Sequence, residues 1–160
     1  MRRLLLLALS ACPAIVIAGD ADRFAGDYGH DATATADEVV WTVVAVGDQW
    51  RIVRTADGEA QAAHRLQARG RETFWDRMGW PADTATDADC LSWGEKQASL
   101  ADLLAEPPTS ATAPGDEAGL GVLCHVPPAS RARMDWLASH AGDWFYYDPV
   151  AGVMDVRRLR

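Results

Sequence analysis

A chain of 160 residues carrying 23 acidic and 15 basic side chains, net −8 at neutral pH, is long enough to bury a real core and is read as one domain. Its negative field disfavours nucleic acid and anionic headgroups and leaves two readings of the charge, solubility or attraction of a basic partner. Arginine dominates the bases, with Lys96 the sole lysine, a compositional bias that carries no functional reading.

The N-terminal stretch opens with Arg2 and Arg3, continues through apolar Leu4 to Leu9 and then turns to small residues, the pattern of a secretory leader. The apolar run to Ala18 is interrupted by Pro13 and is shorter than the roughly 20 residues a membrane-spanning helix requires. Two cleavage points are open. One follows Val16-Ile17-Ala18, would discard Cys12, and would release a soluble periplasmic or secreted protein. The other precedes Cys12, because Leu9-Ser10-Ala11-Cys12 resembles the lipobox of bacterial lipoproteins. The resemblance covers only the leader. It implies a signal peptide over 1–11 and lipidation of Cys12 by several acyl chains, palmitate among them. At about 0.8 kcal/mol per buried CH₂ such an anchor is effectively permanent. Pro13 stands where lipoproteins retained at the inner membrane carry Asp, so the resemblance points to the outer membrane, facing the periplasm. Losing Arg2 and Arg3 takes the bases from 15 to 13 against 23 acids, a net charge of −10.

Residues 12–37 are expected to form the acylated N-terminus and a flexible tether, since "GDADRFAGDYGHDATATAD" has no apolar period and holds at most a local strand from Phe24 to Tyr28. The globular domain is expected over 38–160. "EVVWTVVAV" and "QWRIVRT", joined by Gly47-Asp48, predict a β-hairpin with a type II′ or I′ turn. Ala-rich "EAQAAHRLQAR" puts 60–78 on the helical side despite Gly70. "EKQASLADLLA" places Leu100, Leu103 and Leu104 on one helical face and stops at Pro107-Pro108; a polar loop follows. "GVLCHV" reads as a buried strand, Ser130 as the cap of a helix carrying Met134 and Leu137, and "DWFYYD" with "VMDVRRL" as a C-terminal hairpin. Antiparallel strands with two or three short helices predict an α+β domain, with an all-β barrel or sandwich as the alternative.

With Cys12 lipidated, Cys90 and Cys124 remain as an even pair in an oxidising compartment, so a disulfide is expected. The competing reading makes Cys124 a catalytic thiol beside His125, but adjacent residues rarely hold a thiol and an imidazole in working geometry. The chain has no Gly-x-Ser-x-Gly elbow, His-Glu-x-x-His, phosphate loop or dinucleotide fingerprint. No catalytic residue and no cofactor is nominated. The acids Asp20, Asp22, Asp27, Asp31 and Asp37 miss the calcium-loop spacing, since Phe24 occupies its fifth position. Asp83, Asp87 and Asp89 are spaced more loosely still, and His30, His64, His125 and His140 share no metal-ligand spacing. No metal is expected.

The seven tryptophans should mostly fill the core. Trp75, Trp80 and Trp93 fall in weakly patterned stretches and are nominated as binding residues that stack on a sugar or anchor a protein partner, with Trp75 and Trp80 placed around the Gly79 to Pro81 turn.

In overall plan, a lipobox, a small acidic domain, one cysteine pair and no catalytic signature, the chain resembles periplasmic lipoproteins that bind and neutralise cell-wall hydrolases, lysozyme inhibitors and immunity proteins among them. The resemblance implies a non-enzymatic protein-binding module with a basic protein partner, no nucleic acid, and membrane contact through the lipid alone. A structural accessory lipoprotein of an envelope complex would instead show an apolar patch of several hundred Å². A cell-wall hydrolase would show paired carboxylates about 5 to 9.5 Å apart.

Overall fold

Eight antiparallel strands, each hydrogen-bonded to the next and the last to the first, close into an up-and-down barrel. The computed structural model describes residues 21–31, 33–94 and 115–160. The strands are β1 (Gly26–His30), β2 (Val39–Val46), β3 (Gln49–Arg54), β4 (Ala60–Arg65), β5 (Asp89–Trp93), β6 (Gly121–His125), β7 (Trp144–Asp148) and β8 (Gly152–Arg158). A short helix α1 (Ala21–Phe24) precedes β1. Helices α2 (Ala68–Met78) and α3 (Thr84–Asp87) join β4 to β5, and α4 (Pro128–Arg131) with a 3₁₀ turn (Asp135–Ser139) joins β6 to β7. The α+β expectation is therefore overturned in favour of a closed all-β barrel. Closure decides this: every strand has two neighbours, and α2, α3 and α4 coat one side while α1 covers one end.

Three local expectations change with it. The segment 60–65, alanine-rich and read as helix, is β4, because its backbone groups pair with both β3 and β5 and this outweighs a weak helical preference. Gly26–His30, assigned to the tether, is β1 and closes the barrel between β2 and β8. Ser130 lies within α4 rather than capping a helix, and its hydroxyl donates to the Asp87 carboxylate. The Gly47-Asp48 hairpin forms as expected, with Val46 opposite Gln49. Gly47 takes a φ of 65°, the left-handed value that a side chain would resist. The amphipathic segment Glu95 to Ala105 lies outside the described residues.

Strand alternation sorts the apolar side chains into two cores. Inward go Tyr28, Val43, Trp50, Ile52, Leu91, Leu123, Trp144 and Val156, with Phe24 of α1 added to the same cluster, filling an eight-stranded bore as its diameter requires. Outward from β5, β6 and β7 go Cys90, Val122, Cys124 and Phe145, which meet Phe74, Trp75, Trp80, Met134 and Leu137 in a second layer beneath the helices. Cys90 stands directly opposite Cys124 across the β5–β6 ladder, and the two are joined as expected, with Cα atoms 4.1 Å apart. Among the described residues no helix is long and apolar enough to cross a membrane.

Candidate functional site

The barrel's two ends differ in chemistry. At one end Asp89 is buried and accepts hydrogen bonds from the Arg65 guanidinium at 2.7 Å from both Nε and Nη2, while Arg23 of the α1 segment reaches it at 3.2 Å. Phe24 sets its ring edge-on to Trp50 and Trp144. That end is plugged. Nearby, Asp27 is held below the usual carboxylate range by the Thr42 hydroxyl and the Arg160 guanidinium, which together outweigh its burial.

At the other end an open cleft of about 170 Å³ is lined by Trp41, Ile52, Arg54, Gln61, Trp93, Tyr146 and Asp148, with Glu59, Leu120 and Gly121 completing it. Its strand residues come from alternate positions of six strands, β2 to β7, and share the inward face for that reason. Trp93 stacks on Tyr146 with centroids 5.6 Å apart and planes 12° from parallel, and Trp41 leans on the same tyrosine at 4.4 Å. The layer below, from Tyr28, Val43, Ile52 and Leu123, leaves no room for a water molecule. The cleft is thus a shallow aromatic cup, not the entrance to a cavity.

Its polar groups are held in place. The Arg54 guanidinium donates to both Asp57 and Glu59 at 2.6 Å, so two carboxylates exceed its single charge. Asp148 accepts the backbone N–H groups of Val150 and Ala151 at 2.8 and 3.0 Å and the Tyr146 hydroxyl at 3.3 Å. Burial opposes its ionisation, but the amides of Ala151 and Val150 and then the Tyr146 hydroxyl prevail and hold its carboxyl below the usual range. Burial, aided by the Asp148 charge, pushes the Tyr146 phenol well above its ordinary value, so it stays a neutral donor.

Topology also concentrates charge here. The connections β1–β2, β3–β4, β5–β6 and β7–β8 all meet at this end, and among the described residues they contain no lysine or arginine. They and the strand ends beside them bring Asp31, Asp37, Glu38, Asp57, Glu59 and Asp148 to this end, and of the described charged residues Glu59, Asp148 and Arg54 line the cleft. The connections at the plugged end mix both signs, as in the exposed ion pair of Arg133 with Asp83.

The nominated residues separate. Trp93 lines the cleft while packing in the inner core, and is 8% accessible. Trp75, fully buried, donates its indole N–H to the Thr84 hydroxyl at 2.9 Å, and Trp80 packs edge-on to Phe74, Trp75 and Phe145. Both therefore leave the list of surface anchors: each ring removes about 150–250 Å² from water, and exposing it to a partner forfeits on the order of 4–6 kcal/mol. Trp41 and Tyr146 were missed because they sit in regular strands and read as core. Their place at the rim follows from register, which a single strand does not reveal; Tyr146 is still only 8% accessible and packs with the inner core. The exposed tryptophan is Trp136, 47% accessible, lying against the His140 ring at 3.8 Å.

Other readings resolve as well. Cys124 is bridged and points outward while His125 points inward toward Asp143 and Trp144, so the two form no dyad. Cys12, the expected lipidation site, lies outside the described residues. Among the described residues no three His, Cys, Asp or Glu side chains come close enough to hold a metal ion. A wider groove of about 620 Å³ runs beside Asp143, Arg157 and Leu159, but the Arg160 side chain there is committed to Asp27 and that of Arg158 to the carbonyls of Arg23 and Ala25.

Trp93 owes its position to Gly121, where a Cβ would lie 2.3 Å from the indole Cε2. Gly121→Ala is expected to push the ring off Tyr146, destabilising the fold by about 1–3 kcal/mol and changing the near-ultraviolet circular dichroism. An unaltered spectrum at unchanged urea midpoint contradicts this account of the cup. No protein-family model, curated protein or solved structure matches this chain.

Proposed function

We propose that this protein is a non-enzymatic binding module of the bacterial envelope that engages a basic protein at the open end of its barrel, in the manner of an inhibitor or immunity protein acting on a basic wall hydrolase. The observation that carries the reading is the aromatic cup with Glu59 and Asp148 in its wall, at one end of a barrel whose interior is otherwise filled with side chains. A cleft of about 170 Å³ is smaller than the roughly 300–1,000 Å³ of ordinary small-molecule sites, which favours an anchor side chain over a substrate or cofactor. The lipobox residues Leu9 to Cys12 support an address at the outer membrane, facing the periplasm, and the bonded cysteine pair suits an oxidising compartment. An accessory role in an envelope complex is the second reading, favoured by exposed Val44 and Val46 on the outer face of β2.

The test is association of the purified protein with a panel of basic wall hydrolases. Charge steering makes the association rate fall as salt shortens the screening length from about 10 Å at 0.1 M to about 3 Å at 1 M. Trp93→Ala is expected mainly to speed dissociation, by about tenfold or more. Binding that ignores both salt and this substitution overturns the assignment of the site. Hydrolysis of peptidoglycan or lipid by the purified protein overturns the non-enzymatic reading, and mass spectrometry finding an unmodified N-terminus at Gly19 overturns the anchor.

A further inference from the structure

Resting on the reading that the open end is the binding face, we propose that the cup formed by Trp41, Trp93 and Tyr146 is a receptor for one cationic side chain of the partner, a guanidinium or an ammonium.

Three independent features select that chemistry. The first is shape, because the cup is closed beneath by Tyr28, Val43 and Leu123 with no space for water and so takes the end of one side chain. The second is the surface it offers. Trp41, Trp93 and Tyr146 line one cleft, with Trp41 half-buried and Trp93 and Tyr146 each 8% accessible, so a group seated there meets more than one ring. The electron-rich faces of tryptophan and tyrosine attract a cation lying within about 6 Å of the ring centre. The third is charge. Asp148 and Glu59 both line the cleft, Arg54 is already answered by Asp57 and Glu59, and among the described lining residues the surplus is negative. An anion entering the cup would meet that surplus and gain nothing from the rings. A carboxylate offers about four lone-pair directions, and the contacts from Val150, Ala151 and Tyr146 leave Asp148 able to accept a further donor. A guanidinium fits best, since its flat face stacks while its edge donates to Asp148.

The rival occupant is a neutral sugar, which would use the same rings without needing the charge, and the experiment separates the two. The full chain is titrated with N-acetyl-arginine amide, N-acetyl-lysine amide, neutral N-acetyl-glutamine amide and a methyl glucoside, following the indole N–H resonances of Trp41 and Trp93. The expected result is saturable shifts with the two cations alone, arginine the tighter, weakened about tenfold in Asp148→Asn. Glu59→Gln, at the more exposed rim, supplies the same comparison should Asp148→Asn fail to fold. Equal shifts from the glutamine amide or the glucoside overturn the proposal, as does affinity for the arginine amide that stays within twofold in whichever charge-removing variant folds. If a basic hydrolase binds the open end while no small cation does, this proposal fails and the functional reading stands. If neither binds, both fall.

Discussion

Replacing Asp155 by alanine is expected to cost about 3–5 kcal/mol of folding stability, read as a fall in the urea midpoint. Asp155 and Arg131 form an ion pair on the outer side of β8, with side chains only 6% and 2% accessible. The Arg131 guanidinium also donates to the Trp144 carbonyl at 3.0 Å, and its Nε has no hydrogen-bond partner. A guanidinium cannot shed its proton to escape the situation. Without Asp155 it keeps a full charge in the layer between α4 and the barrel with one carbonyl to answer it. The penalty belongs to the orphaned charge rather than to the pair's net worth, so Arg131→Leu with Asp155→Leu together should recover most of the loss. A cost below about 1 kcal/mol for Asp155→Ala would show that the charge finds water, and would remove this pair as the clamp between the helical coat and β8.

The second large effect belongs to the disulfide. Cys90 and Cys124 are 34 residues apart, and in the chain-entropy account closing such a loop stabilises the fold by about 4 kcal/mol through the unfolded state. That is a large share of the 5–15 kcal/mol typical of a whole domain. Cys90→Ala with Cys124→Ala should therefore lower stability by about that amount, with some further loss from unfilled volume beneath Trp75, Trp80 and Phe145. The paired strands should survive, because the ladder around the bridge runs from Asp89 opposite His125 to Trp93 opposite Gly121. Both cysteines have zero accessibility, so a reductant added without denaturant should release no thiol until the protein opens. Rapid reduction of the native protein would show that the helical coat does not shield β5 and β6. A double variant as stable as the parent would show that the unfolded chain is already compact in this region.

Some of this molecule could be read directly along the chain. The β2–β3 hairpin was legible because β-branched runs flank Gly47-Asp48, and turn chemistry acts over a few residues. The C-terminal hairpin and the strand Gly121–His125 were legible on the same grounds. The disulfide followed from cysteine count and the expected address. Residues 60–65 misled because alanine suits a helix when neighbours are ignored, whereas their state is set by β3 and β5. The glycine- and aspartate-rich stretch before Val39 misled in the opposite sense. Gly26–His30 carries no alternating pattern, yet β2 and β8 leave between them a gap that only another strand can close.

What the sequence by itself determined about this protein is therefore local or cumulative: its charge, its hairpins, its paired cysteines and the lipobox-like start. Closure and the site belonged to the tertiary structure. Trp75 and Trp80 flank a turn and look available, but α2, α3 and the outer face of β7 bury them. Trp41 and Tyr146 look like core alone and also wall the open cup, because barrel register sets each inward-facing residue's depth. Charge follows the same rule. Asp31, Glu38, Asp57, Glu59 and Asp148 are scattered over the chain, and gather at one end because alternating strand direction returns every second connection there. A periodicity reports which face of a strand a residue occupies, and only the closed sheet reports where along the axis that face lies.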